Sequence, residues 1–577
     1  MSNSKEAIPQ ECMEKLFFRA SVSDFRAIPG KPIAYWLSDK FRKDFVEHPL
    51  IGGKASAVCG MTTGENAKFV REWHEVGLSD FNAKASSPEE AKASDKKWFP
   101  YAKGGEFRKW YGNADNVVNW ENDGQDILSS GRAYPRSRKR YFRPSVSWSF
   151  LSSSYFGVRQ QPKGFIFDMA GCSLFPDRPE EISLYTGALC AKTAFLFLKA
   201  MNPTMNFQVN NVAAIPLPKS LAVEDVEKNV SLAVEIGKRD WDSYETSWDF
   251  KTLSLLSPDH RAETLEDTYA VLRNHWLDMV NEMRCLEEDN NRIFINAYGL
   301  QDELSPEVPL EEITLTCNPA YRYGVKGSEE DRETRLRADT MGELLSYAVG
   351  CMFGRYALDK PGLILANQGE TIEDYLKRVP EPSFPADDDN VIPMLDGDWF
   401  TDDITERFRE FLRIAFGEEH YDENLRFVEQ ALGKDIRKYF LKDFYNDHVR
   451  RYKKRPIYWL FSSPKGSFNA LIYMHRYQPH TVGTVLEYLR DFKDEKLQAR
   501  KNHLEAVSIS AGASQGEKTK ALKEIEKINK ILAELDDYER DVLYPLATEQ
   551  VEIDLDDGVK ANYPKFGDAL KKIPGLS

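Results

Sequence analysis

From residue 222 onward, apolar side chains recur at helical spacing. Leu265, Tyr269, Leu272, Trp276, Val280 and Met283 stand three or four apart, the stripe of a long amphipathic helix. It runs into "NNRIFINAYGL", where Gly299 is placed to stop it. Helices are also expected over about 481–508 and 517–544, on either side of the flexible "SAGASQG". Leu522, Ile525, Ile528, Leu532, Leu535 and Val542 give the second a coiled-coil-like seam. The pair reads as a helical hairpin followed by an acidic tail. Residues 22–220 have a different texture. "KPIAYWLS", "NVVNW", "VSWSF" and "KGFIFDMAG" alternate or are bulky and β-branched, and Gly, Pro, Asn and Ser bound them. That is strand-and-turn chemistry. Helices interrupt it at about 65–76, where Phe69 and Trp73 sit four apart, and at about 180–200. "NPTMNFQVNNVAAIPLP" closes the region.

These patterns predict an α+β chain. Its parts are a lead-in over 1–21, a mixed strand/helix domain over 22–220, helical spacers over 221–304, a mainly helical domain over 305–480, and the hairpin with its tail over 481–577. The 577 residues suffice for about three or four domains. No run of about 18 apolar residues occurs, so no membrane span is expected. The first residues lack a basic-then-apolar signal, and a cytoplasmic location is expected. Seven dispersed cysteines, none in a C-x-x-C pair, fit reduced thiols and no metal site.

Charge changes the picture. The chain carries a formal net charge of −15, which weighs against general coating of nucleic acid. Yet residues 96–143 hold eleven Lys/Arg against five acids, a net of +6 that leaves −21 for the remainder. In "GRAYPRSRKRYFRP", residues 131–144, six of the twelve positions from Arg132 to Arg143 are cationic. Phosphates are bound by Lys and Arg with release of counterions, and aromatic rings pack on sugars or bases. Arg132, Tyr134, Arg136, Arg138, Lys139, Arg140, Tyr141 and Arg143 are therefore candidate DNA contacts, with Lys103, Arg108 and Lys109 from the neighbouring basic cluster. A solvated basic loop is the bland alternative. In "GMTTGENAKFVREWHEV", Thr63 or Asn66 is expected to cap a helix. A glycine-and-hydroxyl turn at a helix start also suits a phosphate oxygen.

Three stretches imitate catalytic motifs. "TCNPAYRYG" carries Asn318-Pro319-Ala320-Tyr321, one proline short of the Asn-Pro-Pro-Tyr that holds a flipped adenine. No strand leading into a Phe-x-Gly-x-Gly loop precedes it, and a structural turn is the favoured reading. "GASQGEKTK" has the wrong spacing for a phosphate loop. Asp494-Glu495-Lys496 lies in a charged helix and reads as a solvated face. No catalytic residue is assigned.

"GMTTGENAKFVREWHEV", "KWFPYAKGGEFRKWYGN", "NPTMNFQVNNVAAIPLP", "NNRIFINAYGL", "EEITLTCNPAYRYG" and "KRPIYWLFSSPKGSFNALIYMHRY" together resemble PglX, the adenine-specific DNA methyltransferase family of BREX phage-defence systems. The resemblance covers nearly the whole chain, from about Phe18 to the last helices. It implies that residues 22–220 are a DNA target-recognition domain and that the rest is the spacer and C-terminal portion. The family's cofactor loop and true Asn-Pro-Pro-Tyr have no matching positions here. The chain is therefore expected to bind no cofactor and to be inactive alone, while S-adenosylmethionine serves the complete family enzyme. The implied partners are double-stranded DNA, a methyltransferase domain or subunit, and other BREX proteins. The alternative is a protein-interaction scaffold whose basic patch meets an acidic partner. A complete methyltransferase would require a cofactor site hidden from sequence reading.

Overall fold

The computed structural model describes residues 28–32, 36–152 and 155–576. The expected lead-in over 1–21, Cys12, residues 22–27 and Ile33–Tyr35 of "KPIAYWLS" lie outside the described residues. The fold is α+β, mainly helical with several small sheets. It forms two compact units that interleave along the chain. Unit 1 takes Met1–Phe69, Asn82–Trp241 and Leu277–Gly324; unit 2 takes Val70–Phe81, Asp242–Trp276 and Val325–Ser577.

Unit 1 holds seven short strands: β1 (Ala55–Val58), β2 (Trp98–Ala102), β3 (Asn116–Asn119), β4 (Ser145–Ser149), β5 (Val158–Gln161), β6 (Ile166–Phe167) and β7 (Gly171–Pro176). One sheet has the order β1-β7-β4-β5, with every pair antiparallel. In the other, β2 pairs β3 antiparallel and β6 parallel. Trp98, Trp148, Val117 and Leu174 are fully buried, which is why these bulky residues sit on strands. The helix expected at 180–200 is two, Ile182–Cys190 and Lys192–Met201, meeting at Ala191. Among the described residues no single helix is long and apolar enough to cross a membrane. This bent pair, at 69°, comes nearest by composition, but it packs Leu184, Leu189, Phe197 and Leu198 into the core.

The long helix is Leu265–Tyr298, and Gly299 ends it at φ +64. The helix expected at 65–76 is a single turn, Asn66–Phe69, followed by extended Val70–Glu72 and a short turn over Trp73–Glu75. Glu72 and Glu75 box that turn, and in unit 2 the Trp73 indole donates to the Thr246 carbonyl at 2.7 Å. Tertiary burial of Trp73 thus overrides the helical spacing.

Two buried charge pairs tie the Asn82–Trp241 and Leu277–Gly324 segments of unit 1 together. Arg108 lies against Asp240 at 3.4 Å and donates to the Thr316 hydroxyl at 2.7 Å. Asp240 also accepts the backbone N–H groups of Thr316 and Cys317, at 2.7 and 2.9 Å. Lys109 pairs with Glu287, whose other oxygen accepts the Trp110 indole N–H at 2.8 Å. All four charged side chains are buried. Burial pushes the Glu287 carboxyl upward, while Lys109 pulls the other way.

In unit 2 a hairpin of β9 (Tyr458–Ser462) and β10 (Asn469–Tyr473) joins β8 (Ile392–Pro393) in a three-stranded antiparallel sheet. Helices Glu329–Met352, Ile404–Phe416 and Tyr421–Leu432 belong to the same unit. The terminal hairpin pairs Gln498–Ile509 with Gln515–Tyr538, the second capped by a Ser514/Glu517 box. Its buried seam is Ala521, Ile528, Leu535 and Tyr538, and Leu522 is 57% exposed. The sequence window that mimics a phosphate loop is thus the bend and helix cap of this hairpin.

Two predictions concern unit 1. Lys109→Met alone strands a buried carboxylate and should cost about 3–5 kcal/mol. Adding Glu287→Gln, which still accepts the Trp110 N–H, should recover much of that loss in chemical denaturation. Asp44 is buried, 3.6 Å from His48, and burial followed by Glu47 raises its pKa to about 7. Its protonated form is favoured in the fold, so its contribution is full below the unfolded value near 4 and lost as pH rises through 7. Asp44→Asn should therefore match the parent chain at pH 4 and exceed it by up to about 4 kcal/mol at pH 8 in paired denaturation curves.

Candidate nucleic-acid interface

The basic segment is not a loose loop. Tyr134 and Thr62 exchange both backbone hydrogen bonds, at 2.8 and 3.1 Å, strapping residues 131–136 to the turn at 60–66. Gly64 makes that approach possible: at φ +76, a Cβ there would lie 2.6 Å from the Arg132 carbonyl oxygen. The other end is anchored by Phe142, which exchanges backbone hydrogen bonds with Phe165 and Gly164 at 2.8 and 3.1 Å. Between them Ser137 takes φ +57 and opens a short turn over Arg138–Arg140, its hydroxyl donating to the Cys59 carbonyl at 3.0 Å.

This scaffold sorts the candidate residues. Arg132, Tyr134, Arg136, Lys139, Arg143 and Asn66 are exposed. Arg132 pairs with Glu65 yet keeps 68% of its side chain in solvent. The Arg136 guanidinium stacks on the Tyr134 ring, 4.7 Å from its centroid, a cation–aromatic pair that presents planar donors beside a flat apolar face. Arg138 and Arg140 are half-buried. Arg138 pairs with the Asp123 carboxylate, donates to the Asp123 carbonyl at 3.1 Å, and lies over Trp120. Arg140 donates to the Ser56 hydroxyl at 2.8 Å and lies over Phe175. Lys103 is partly exposed at the end of the β2 region.

Four expected contact residues point inward instead. Arg108 and Lys109 are consumed by the Asp240 and Glu287 pairs, so they are not available to phosphate. Tyr141 is buried, donating its hydroxyl to the Arg136 carbonyl at 2.9 Å, and it supports the segment from beneath. Thr63 is buried with its hydroxyl on the Asn66 side-chain oxygen at 2.6 Å. The helix that follows is one turn long, too short to offer a dipole to an anion.

Sequence reading missed the "NDG" turn. Asn122, Asp123 and Gly124 all take left-handed φ, at 49, 63 and 76, and this turn supplies the Arg138 partner. Asn, Asp and Gly are the residues that tolerate this geometry, so the local signal was there.

The Asn318 stretch does not fit an adenine or a methyl donor. Its side-chain N–H groups go to the carbonyls of Leu310 and Ile313, at 2.7 and 2.8 Å, and its oxygen caps Ala320 N–H at 3.1 Å. Tyr321 donates to the Phe107 carbonyl at 2.6 Å, with the Arg108 guanidinium over its ring. Every group that such a motif would aim at a base is committed to packing.

No protein-family model matches the chain. It is 37% identical over 574 residues to the adenine-specific methyltransferase BrxX of Escherichia coli O9:H4 (strain HS), covering 96% of this chain and 46% of that protein. It is 36% identical over 579 residues to the adenine-specific methyltransferase PglX of Lacticaseibacillus casei (strain Zhang), covering 95% of this chain and 45% of that one. The chain spans about half the length of these curated relatives. The similarity to these two methyltransferases runs through both units, over about 95% of this chain.

Proposed function

We propose that the chain is the DNA target-recognition and C-terminal portion of a BREX-type adenine-N6 methyltransferase. In this reading the face built from Arg132, Tyr134, Arg136, Lys139 and Arg143 docks on double-stranded DNA. Methyl transfer and S-adenosylmethionine binding belong to other parts of the longer family proteins. The observation that carries the reading is the cation-rich segment fixed at both ends on unit 1 of a chain whose net charge is −15. A preformed backbone with exposed guanidinium and ammonium groups binds phosphates without first ordering a loop. Phosphate contacts of this kind set register and orientation, and base-edge contacts then select the site. The acidic remainder disfavours indiscriminate binding. Docking of other BREX proteins on the helical surfaces, and action in the cytoplasm, are part of the same proposal.

The test separates surface cations from packed ones. Arg136→Ala, Lys139→Ala and Arg143→Ala combined should leave thermal unfolding unchanged and weaken binding to a mixed-sequence duplex measured by anisotropy. Each lost phosphate contact should flatten the slope of log K against log salt by about 0.9, so the triple variant should lose about two to three units. Unchanged affinity and slope would remove this face from the DNA interface. Equal competition by duplex DNA and by an acidic protein would favour a scaffold role instead.

A further inference from the structure

Antiparallel β1 and β7 pair in the register Ala55↔Pro176 through Val58↔Ser173. One step further the two chains carry Cys59 and Cys172, and their sulfurs lie 3.5 Å apart. Opposed residues on antiparallel strands hold their Cα atoms about 4.5–5.5 Å apart, inside the range a disulfide spans. Side-chain rotation therefore suffices to bring the sulfurs from contact to bond. The two thiols are not equivalent. Cys59 is partly exposed, whereas Cys172 is buried with its sulfur 3.4 Å from the Met169 carbonyl oxygen.

We propose that Cys59 and Cys172 form a redox-active dithiol, converted by a hydroperoxide into a cross-strand disulfide beneath the basic segment. Cys59 is the attacking residue and Cys172 the resolving one. The electrostatics agree with that division. The hydrogen bond from Cys172, with Arg136 nearby, lowers the Cys59 pKa to about 7, and the same hydrogen bond together with burial raises Cys172. A thiolate is the nucleophilic form of cysteine. The Cys59 sulfur attacks one peroxide oxygen, the O–O bond breaks, and the departing alkoxide takes a proton and leaves as alcohol. Cys59 is now a sulfenic acid. Cys172 loses its proton and attacks the Cys59 sulfur; the S–O bond breaks and water leaves. Two thiols are oxidised by two electrons, and one hydroperoxide is reduced to one alcohol and one water. The site sits under the basic segment, since the Cys59 carbonyl is the acceptor of the Ser137 hydroxyl at 3.0 Å. The bond would join residues 113 apart in sequence.

The chemistry is independent of DNA binding and is tested without it. The reduced full chain is exposed to hydrogen peroxide, quenched, alkylated and peptide-mapped. The expected result is a Cys59–Cys172 linked peptide, lighter than the two free peptides by two hydrogen atoms, with loss of alkylation at both positions and recovery after dithiothreitol. Cys59→Ser should leave Cys172 alkylatable once unfolded. Cys172→Ser should leave Cys59 as sulfenic or sulfinic acid with no internal link, and Cys190→Ser should behave as the parent chain. Cys59 that stays reduced while exposed Cys285 is oxidised would overturn the proposal. So would Cys59 linking to another cysteine in the folded chain.

Discussion

Unit 1 depends on the desolvation of two cations. Removing a charge from water costs several kcal/mol per ion unless geometry and additional hydrogen bonds offset it. Arg108 and Lys109 are neighbours in sequence, yet their acids come from Asp240 and Glu287, and Thr314 and Thr316 complete the cluster. The strand-bearing region, the end of the Val223–Asp242 helix, the long helix and the residues after it must therefore arrive together. Trp110 then extends the order outward: its backbone exchanges hydrogen bonds with Val158 and Gln160, both at 2.8 Å. That seats β5, which pairs with β4, which pairs with β7. The Cys59 and Cys172 contact lies just past the last pair of the same sheet.

Much of this architecture was legible in the sequence because it is local. The Leu265–Met283 stripe gives a helix that ends at Gly299, since a helix face has its own period and its own stop. "NVVNW" and "VSWSF" supply strands for the corresponding physical reason. What could not be read was long-range. Nothing near Arg108 or Lys109 distinguishes them from Arg136 or Lys139; the acids that bury the first pair lie more than a hundred residues away. Trp73 looked helical because four-residue spacing is ambiguous over a short stretch, and its burial beside Thr246 decided otherwise. Cys59 and Cys172 carry no motif. Only strand register sets them opposite each other.

The sorting of cations by burial also explains how one basic stretch can serve two ends. Inward-facing Arg and Lys cannot bind phosphate without abandoning a buried carboxylate. Under the proposed function they would act on the DNA-facing surface only by fixing the backbone that presents it. Outward-facing residues are free of that constraint and are screened by salt. Tyr141 belongs with the first group, although its neighbours Arg140 and Arg143 reach solvent.

This division bears on how selectivity could arise in an acidic chain. A flexible basic tail would gain counterion-release free energy on any polyanion, with little dependence on register. A segment clamped at Thr62–Tyr134 and at Phe142–Phe165 holds its charges at fixed separation. Under the proposed function, only a phosphate spacing that matches would engage several of them at once, and the chain's net charge of −15 disfavours poses that engage one. Gly64 and the left-handed Asn122–Gly124 turn matter in this view although neither carries positive charge. One permits the clamp, and the other holds Arg138 in place. Specificity of this sort is a property of backbone geometry first and of charge second.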